Sequence, residues 1–202
     1  MNKIHISHGV SKLGPSIPSV NLPPVVTCRP DAPCFAKCYA RKGRFCFQKN
    51  KAHLQDNLTL WLSDPEEYER GIVCSAYFSR YFRWHSSGDI PDAAYLEMMV
   101  RVAHKLPDTS FLCFTKKYEL VNEHFDAHGN LPKNLIIVFS AWGSLLPSNP
   151  HNLPIAFVRF RKGYSAIPNH ARACQSYCGN CVATGASCWD LQPGEAVVFN
   201  EH

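Results

Sequence analysis

The sequence predicts an α/β fold with mostly parallel strands, arranged as an open sheet or curled into a partial (β/α) barrel. Segments with helical periodicity alternate with short apolar segments along the centre of the chain, as they do in folds built from βαβ units. At 202 residues the chain is long enough for one substantial core, and length alone favours a single domain. The hydrophobic fraction of 46% argues against disorder. We therefore expect residues 1–202 to form one α/β domain.

The centre of the chain contains the clearest βαβ unit. Residues 81–85 are predicted to form a short aromatic strand, and a Gly-containing turn follows at 86–91. Residues 92–106 show helical periodicity, and residues 110–115 are predicted to form the next strand. Strand, turn, helix and strand in this order predict a parallel pair.

Further predicted elements flank this unit on both sides. A helix start is expected near residue 64, where an N-cap candidate precedes proline and two acidic residues. The remaining elements are an extended segment at 16–26, helices at 48–62, 65–80 and 118–128, and strands at 135–139, 155–158 and 196–199.

Three loops with polar or cysteine side chains follow predicted parallel strands. They are residues 28–46, the turn from Ser86 to Asp89, and the corner at 115–117. Ligands of parallel sheets bind at the carboxyl ends of the strands. The three loops are therefore expected to share one edge of the sheet.

Composition limits the location and the partners of the chain. No apolar run approaches the ~20 residues of a membrane-spanning helix, and the first twenty residues lack the apolar stretch of a secretory signal. These features predict a cytoplasmic protein with no membrane partner. The formal charge of +5 permits nucleic acid as a partner but does not demand it.

Eight of the ten cysteines lie in two loop-like groups. A cytoplasmic location favours metal ligands or buried thiols over disulfides, whereas secretion would favour disulfides. The lone Cys74 and Cys113 are interpreted as buried apolar residues of a helix and a strand. Cys46 lies beyond a basic run and is the weakest ligand candidate of its group. The predicted ligands are Cys28, Cys34 and Cys38 in the N-terminal cysteine loop (28–46), and Cys174, Cys178, Cys181 and Cys188 in the C-terminal cysteine loop (174–188).

The spacing of the thiols favours an iron–sulfur cluster and leaves zinc as the alternative. Structural zinc sites use two pairs of ligands about two to four residues apart, and the C-terminal loop contains one such pair, Cys178 and Cys181. The spacing C-x3-C-x2-C from Cys174 to Cys181 instead suits three corners of a [4Fe–4S] cluster.

Several stretches of the chain, in order, resemble one known family. They are CRPDAPCFAKCYA, RWHSSGDIPDAAYLEMMVRVAHKLPDTSFLCFTKK, LIIVFSAW and the Cys-rich terminal segment. Together they are similar to a phage-associated family, the gene-product-eighty-eight-like group, which itself resembles a reduced radical-SAM barrel. The resemblance implies a radical-SAM-like partial barrel, an iron–sulfur cluster and, in addition, binding of S-adenosylmethionine. For a phage-encoded chain it also implies the host cytoplasm.

The radical-SAM resemblance also implies roles for particular residues. Cys34 and Cys38 match the first two cysteines of its cluster motif, whereas Arg41 stands in the third place. Ser87, Gly88 and Asp89 stand where a Gly-Gly-Glu turn would hold the amino group of S-adenosylmethionine. Asp89 is thus the candidate catalytic residue, holding a polar group of the ligand. The alternative is that Asp89 only caps the next helix.

These observations predict an iron–sulfur protein, with a radical-SAM-like redox enzyme as the leading interpretation. One alternative is an iron–sulfur electron carrier or redox sensor without a substrate. Another is a zinc-stabilised module that binds nucleic acid through two basic segments, 41–44 and 159–162. Motifs such as the P-loop and G-x-S-x-G are absent from the sequence. If first and last strands were neighbours in a closed barrel, thiols of both loops could share one centre.

Overall fold

The computed structural model describes residues 3–161 and 166–201. Between residues 81 and 140 strands and helices alternate, as expected. The strands are β1 (Ile6–Ser7), β2 (Ser19–Val20), β3 (Tyr81–Trp84), β4 (Ser110–Thr115), β5 (Leu135–Ser140), β6 (Ile155–Arg159), β7 (Arg172–Ala173) and β8 (Ala196–Asn200). The α-helices are α1 (Gln48–Ser63), α2 (Pro65–Ala76), α3 (Ala93–Lys105), α4 (Tyr118–His128) and α5 (Cys178–Thr184).

The strands form one sheet in the order β1-β2-β3-β4-β5-β6-β8-β7. The edge strand β1 pairs with β2 in the antiparallel sense, and the other neighbouring pairs are parallel. The predicted α/β class with mostly parallel strands is therefore confirmed. Within the described residues β1 and β7 are free edges, so the sheet is open and β2 and β8 are not neighbours.

The sheet curls strongly across its width. Phe114 on β4 and Phe199 on β8 have ring centroids 5.5 Å apart, although β5 and β6 separate their strands. Three strand spacings in a flat sheet would span about 14 Å. The face that bears these rings is therefore concave. The ammonium group of Lys12, from the segment between β1 and β2, lies 4.3 Å from the centroid of the Phe199 ring.

Hydrophobic side chains cover both faces of the sheet. Helices α1 to α4 pack on the convex face, and their contacts with the strands form the largest core cluster. A smaller cluster on the concave face includes Leu13 and Ile17 from the N-terminal segment and Trp189 from the C-terminal loop. The indole Nε1 of Trp189 donates to the carbonyl of Phe82 at 3.1 Å. Both ends of the chain thus fold onto the concave face.

Aspartates cap the start of two helices on the convex face. Asp64 precedes α2 and accepts a hydrogen bond from the amide of Glu67 at 2.9 Å, which confirms the predicted helix start. Asp92 precedes α3 and accepts from the amide of Tyr95 at 2.8 Å. Its other oxygen accepts from the indole of Trp61 at 3.2 Å. Asp92 therefore joins α1 to α3, whereas Asp64 acts only at its own helix.

Several predicted details differ from the structure. Helix α2 ends at Ala76 instead of near residue 80, and the two-residue strands β1 and β7 and helix α5 had no predicted counterpart. Cys74 is exposed, whereas Cys113 is buried as expected. Since Ile72 points into the core, a residue two positions later lies about 200° around the helix, on the solvent side. In the described part of the chain no helix is both long and apolar enough to cross a membrane.

Replacing Asp92 by alanine should destabilise the protein more than replacing Asp64 by alanine. Both changes remove an N-cap, which costs about 1 kcal/mol. Only Asp92→Ala also leaves the indole of Trp61 without its acceptor, which adds about 1–2 kcal/mol. Urea unfolding followed by circular dichroism measures the difference. Equal losses in the two variants would contradict a role for Asp92 in joining the helices.

Candidate functional site

The loops that follow β2 and β3 meet at the carboxyl edge of the sheet. Asn21, directly after β2, accepts hydrogen bonds on Oδ1 from the amides of Ser86 at 2.7 Å and Ser87 at 3.0 Å. The hydroxyl of Ser87 donates to the carbonyl of Leu22 at 3.1 Å. These bonds are buried or partly buried, so water competes little for them. The turn after β3 is thereby fixed against the start of the segment that leads to Cys28.

Asp89 joins the same turn to the corner after β4. One oxygen of its carboxylate accepts from the hydroxyl of Thr115 at 2.6 Å and from the amide of Ile90 at 2.8 Å. The other oxygen accepts from the amide of Lys116 at 3.0 Å. Burial raises the pKa of Asp89, and these three donors oppose the rise. The carboxylate is thus held by protein donors, and it is Asp92 that caps α3; the binding of a ligand group by Asp89 stays a prediction.

Gly88 permits a close approach between the turn and the loop after β2. Its φ is +81°, and a Cβ atom at this position would lie 2.7 Å from the carbonyl oxygen of Leu22 and 2.8 Å from Oγ1 of Thr27. The hydroxyl of Thr27 also accepts from the amide of Asp89 at 3.0 Å. The residue after Thr27 is Cys28, so this approach positions the first thiol of the N-terminal cysteine loop.

The N-terminal cysteine loop lies at the carboxyl edge beside Asp89. Burial raises the pKa of Cys28 to about 11, and the negative charges of Asp89, Cys38 and Cys34 raise it further. The three predicted ligands of this loop are therefore electrostatic neighbours. The hydroxyl of Tyr39 donates to the carbonyl of Ser86 and so attaches the loop to the turn after β3.

Backbone strain accompanies this loop. Val25 has a φ of +78°, a conformation that β-branched residues rarely adopt. Strained backbone of this kind clusters at functional sites. Cys46, by contrast, is exposed, and its thiol donates to the carbonyl of Arg41 at 2.8 Å. That bond closes the end of the loop and gives Cys46 a local structural role.

The C-terminal cysteine loop packs over the concave face of the sheet. The amide of Cys174, directly after β7, donates to Val198 of β8 at 2.9 Å, and the amide of Cys178 donates to Lys12 at 2.8 Å. Cys178 and Cys181 lie on α5, and Cys188 begins a 3-10 turn. Contacts with the concave-face cluster involve Cys174, Cys178 and Cys188. The loop is thus fixed on one side by β8 and on the other by the N-terminal segment.

The charge of Arg83 affects residues of both cysteine loops. Arg83 projects from β3 onto the concave face, where its guanidinium lies 4.2 Å from the centroid of the Phe114 ring. Burial raises the pKa of Cys188 to about 12 and also raises that of Cys178, and the charge of Arg83 opposes both shifts. The same charge acts on the hydroxyl of Tyr39 in the N-terminal loop. The sequence pattern did not single out Arg83, although its position between Phe82 and Trp84 places it on the opposite face of β3.

The thiols form two groups, as the sequence predicted, but they do not form a finished metal site. The thiol neighbours that affect Cys28 are Cys34 and Cys38, whereas those that affect Cys188 belong to the C-terminal loop. All ten cysteines lie in described regions and are free thiols. Among residues 3–161 and 166–201, no group of three or more His, Cys, Asp or Glu side chains is arranged to hold a metal ion.

A series of buried hydrogen bonds between side chains begins at the end of β3. His85 has a φ of +57°, and its Nε2 lies 3.0 Å from the hydroxyl of Tyr95, which in turn lies 2.8 Å from that of Tyr68. Its Nδ1 lies 4.0 Å from the thiol of Cys113. Burial lowers the pKa of His85 to about 3. The imidazole is therefore neutral and part of the convex-face core.

Gly88→Ala should destabilise the protein far more than Gly43→Ala. Both glycines have positive φ, so both variants carry the strain of an L-residue there, about 1 kcal/mol. The new methyl group at 88 would also meet Leu22 and Thr27, whereas at 43 nothing lies within 4 Å. We expect an additional loss of about 1–3 kcal/mol at position 88, measured by urea unfolding. Similar stabilities would show that the turn is not tightly packed on the loop after β2.

Comparison with models of known protein families identifies the family of this chain. A family model described as Gene product 88 matches residues 3–179. The match includes the N-terminal cysteine loop, the turn at Ser87 to Asp89, Cys174 and Cys178, and it ends before Cys181 and Cys188. No curated protein and no solved structure matches the chain significantly. The expected similarity to a phage gene-product family is therefore confirmed, and the chain belongs to the Gene product 88 family.

Proposed function

We propose that this protein binds an iron–sulfur cluster through its cysteine loops and acts in electron transfer or radical chemistry. The observation that best supports the proposal is the concentration of thiols at two places on the sheet: three at the carboxyl edge and four over the concave face. A cluster of this kind accepts and donates single electrons at a potential that its surroundings set.

The chemistry of the donor groups fits a metal or cluster. Burial raises the pKa of Cys188 and Cys178, and the charges of the neighbouring thiols in the C-terminal loop raise it further. Without a cation the free thiolates would be unfavourable in these positions, and a coordinated metal removes that cost because it binds the deprotonated form. The amide of Ser176 also lies 3.4 Å from the sulfur of Cys174, and such hydrogen bonds tune cluster potentials.

Ligation would require movement of the cysteine side chains. No described group of three ligands is arranged for a metal, but the free energy of metal binding can order the ligands, as it does where metal binding is coupled to folding. Both loops contain short 3-10 turns, which are more easily rearranged than α-helices because their hydrogen bonds are poorer. The proposed ligands are Cys28, Cys34 and Cys38 for one group, and Cys174, Cys178, Cys181 and Cys188 for the other.

The finer proposal is a radical-SAM-like redox enzyme in the cytoplasm. It is supported by the position of the N-terminal cysteine loop, which follows the first parallel strand and contacts the turn after β3. In this proposal Ser87, Gly88 and Asp89 shape the carboxyl edge where S-adenosylmethionine would bind. Asp89 acts mainly by positioning the turn, since its carboxylate already accepts three hydrogen bonds.

Metal and sulfide measurements test the proposal directly. Protein purified without oxygen should be brown, absorb broadly near ~400 nm and contain iron and sulfide in matched amounts. A variant with Cys174, Cys178 and Cys181 changed to alanine, and another with Cys28, Cys34 and Cys38 changed to alanine, identify the ligating loop. Cys46→Ala is the matched control, since its thiol bonds only within the loop; it should keep full iron content.

The remaining outcomes of the metal and sulfide measurements each favour a different function. Stoichiometric zinc without iron would contradict the cluster and favour the zinc-stabilised module. A colourless protein without metal would contradict both. A cluster-containing protein that cleaves S-adenosylmethionine under reduction supports the enzyme, whereas one that only cycles between redox states is an electron carrier or sensor.

Arg83→Met should weaken cluster retention while preserving the fold. The methionine keeps the apolar contact with Phe114 but removes the positive charge that offsets the thiolates of Cys178 and Cys188. We expect the cluster to be lost to a chelator faster by on the order of tenfold, equivalent to about 1.4 kcal/mol.

The control for this prediction is Arg80→Met. Arg80 makes a similar contact with an aromatic ring, at 5.5 Å from Tyr81, but its charge is not among the main influences on the pKa of Cys178 or Cys188. Bleaching of the ~400 nm absorbance under excess chelator is followed for both variants. Identical bleaching rates in Arg83→Met and the unmodified protein would contradict charge compensation by Arg83.

A further inference from the structure

Positive charge is concentrated in one segment of this chain. Between residues 32 and 55 there is no Asp or Glu, whereas acidic and basic residues nearly balance in the rest of the sequence. The net positive charge therefore comes from this segment, which contains most of the N-terminal cysteine loop and the start of α1. Its basic residues are Lys37, Arg41, Lys42, Arg44, Lys49 and Lys51.

Most of these charges have no acidic partner in the described part of the chain. Lys37 lies 3.4 Å from the carboxylate of Glu201, and the other five basic residues make no ion pair with any described residue. Arg41, Lys42 and Arg44 are exposed in consecutive 3-10 turns. Uncompensated charges on an exposed loop produce a positive field that attracts polyanions.

Folding places a second basic segment beside the first. The other oxygen of the Glu201 carboxylate accepts from the amide of Arg161 at 3.2 Å, and the amide of Glu201 donates to the carbonyl of Arg159 at 3.0 Å. Both arginines are exposed. Glu201 therefore links Lys37 to the end of β6, more than a hundred residues later in the sequence. Lys162, the last residue of the predicted basic segment, lies outside the described residues.

The same loop exposes aromatic rings among its charges. Phe47 is 63% exposed and Tyr39 is 51% exposed, although the hydroxyl of Tyr39 is tied to Ser86. Phe45 packs against Tyr39 with ring centroids 6.0 Å apart. A fixed hydroxyl with an exposed ring gives an aromatic surface that is held in place. Nucleobases stack on such rings in proteins that bind single strands.

We propose that this surface binds single-stranded nucleic acid. The basic surface consists of Lys37, Arg41, Lys42, Arg44, Arg159 and Arg161, with Tyr39 and Phe47 as stacking rings. Basic side chains that follow the backbone, combined with exposed rings, are the features that single-strand binding needs. The proposal does not depend on a cluster, because none of these residues is a proposed ligand.

An anionic membrane is another polyanion that such charges could attract. Membrane-surface binding uses an amphipathic helix with an apolar face that enters the acyl region. Here the exposed rings lie in and directly after 3-10 turns, among the charges instead of opposite them. The mixture of charges and rings therefore favours a single nucleic-acid strand, which offers phosphates to the charges and bases to the rings.

Fluorescence anisotropy with the full-length protein tests the inference. The probe is a fluorescein-labelled 15-nucleotide DNA of mixed sequence, with the matching duplex and vesicles containing 30% phosphatidylserine as alternative ligands. We expect the single strand to bind best, with a slope of log K against log salt of about −3 to −4 for some five neutralised phosphates. Equal or tighter binding of the duplex, or binding of the vesicles alone, would overturn the proposal.

Matched variants identify the surface. A triple variant, Arg41→Ala with Lys42→Ala and Arg44→Ala, should make the salt slope shallower by about 2. The control triple variant, Lys3→Ala with Arg70→Ala and Lys133→Ala, removes the same charge from exposed positions elsewhere and should leave the slope unchanged. Equal effects of the two triple variants would overturn the assignment to this loop, because they would reflect net charge alone.

A stacking variant separates ring contacts from charge. Phe47→Leu keeps the charge and much of the apolar character, so a structural role alone predicts little change in affinity. The proposal predicts that affinity for the single strand falls by about fivefold or more, with an unchanged salt slope. Circular dichroism confirms the fold of each variant. If the affinity for the single strand is unchanged both in Phe47→Leu and in a second single variant, Tyr39→Leu, the stacking role is overturned.

Discussion

The buried carboxylate of Asp89 is the interaction on which the candidate site depends. It accepts hydrogen bonds from the turn after β3 and from the corner after β4, and the amide of the same residue donates to Thr27. One residue therefore sets the relative positions of three loops at the carboxyl edge. Because Cys28 directly follows Thr27, this network also helps to set the position of Cys28. The curled sheet, in turn, supplies the edge at which the loops can meet.

Electrostatic repulsion makes closely spaced thiolates unfavourable in the cysteine loops when no cation is bound. Burial and the charges of neighbouring thiols disfavour the thiolates of Cys178 and Cys188, and the charge of Arg83 opposes this only in part. Packing alone gives no reason to place four thiols within fifteen residues. Other apolar side chains would fill the same space without repulsion between thiolates. A bound cation would remove the repulsion. The basic surface includes part of the N-terminal cysteine loop but contains none of the proposed ligands. The proposal of nucleic-acid binding is therefore independent of the proposal of a cluster.

The sequence predicted those parts of the fold that have a periodic pattern. Helix α4 and strand β4 have the predicted bounds, since α4 has apolar positions at helical spacing and β4 is a short continuous apolar run. Two-residue strands such as β1 have too few side chains to show a period, and Cys74 was misassigned because a cysteine alone does not reveal its helix face. The neighbouring first and last strands expected of a closed barrel are absent from the described sheet. The role of Arg83 depends on tertiary proximity, which single-sequence spacing does not contain.

The most direct test is X-ray absorption at the iron and zinc edges of the oxygen-protected full-length protein. The account predicts an iron signal whose first coordination shell is sulfur, because thiolates are the donors that both loops provide. That shell should disappear when the cysteines of the ligating loop are replaced. An iron shell dominated by oxygen or nitrogen, a zinc signal alone, or no metal at either edge would contradict it.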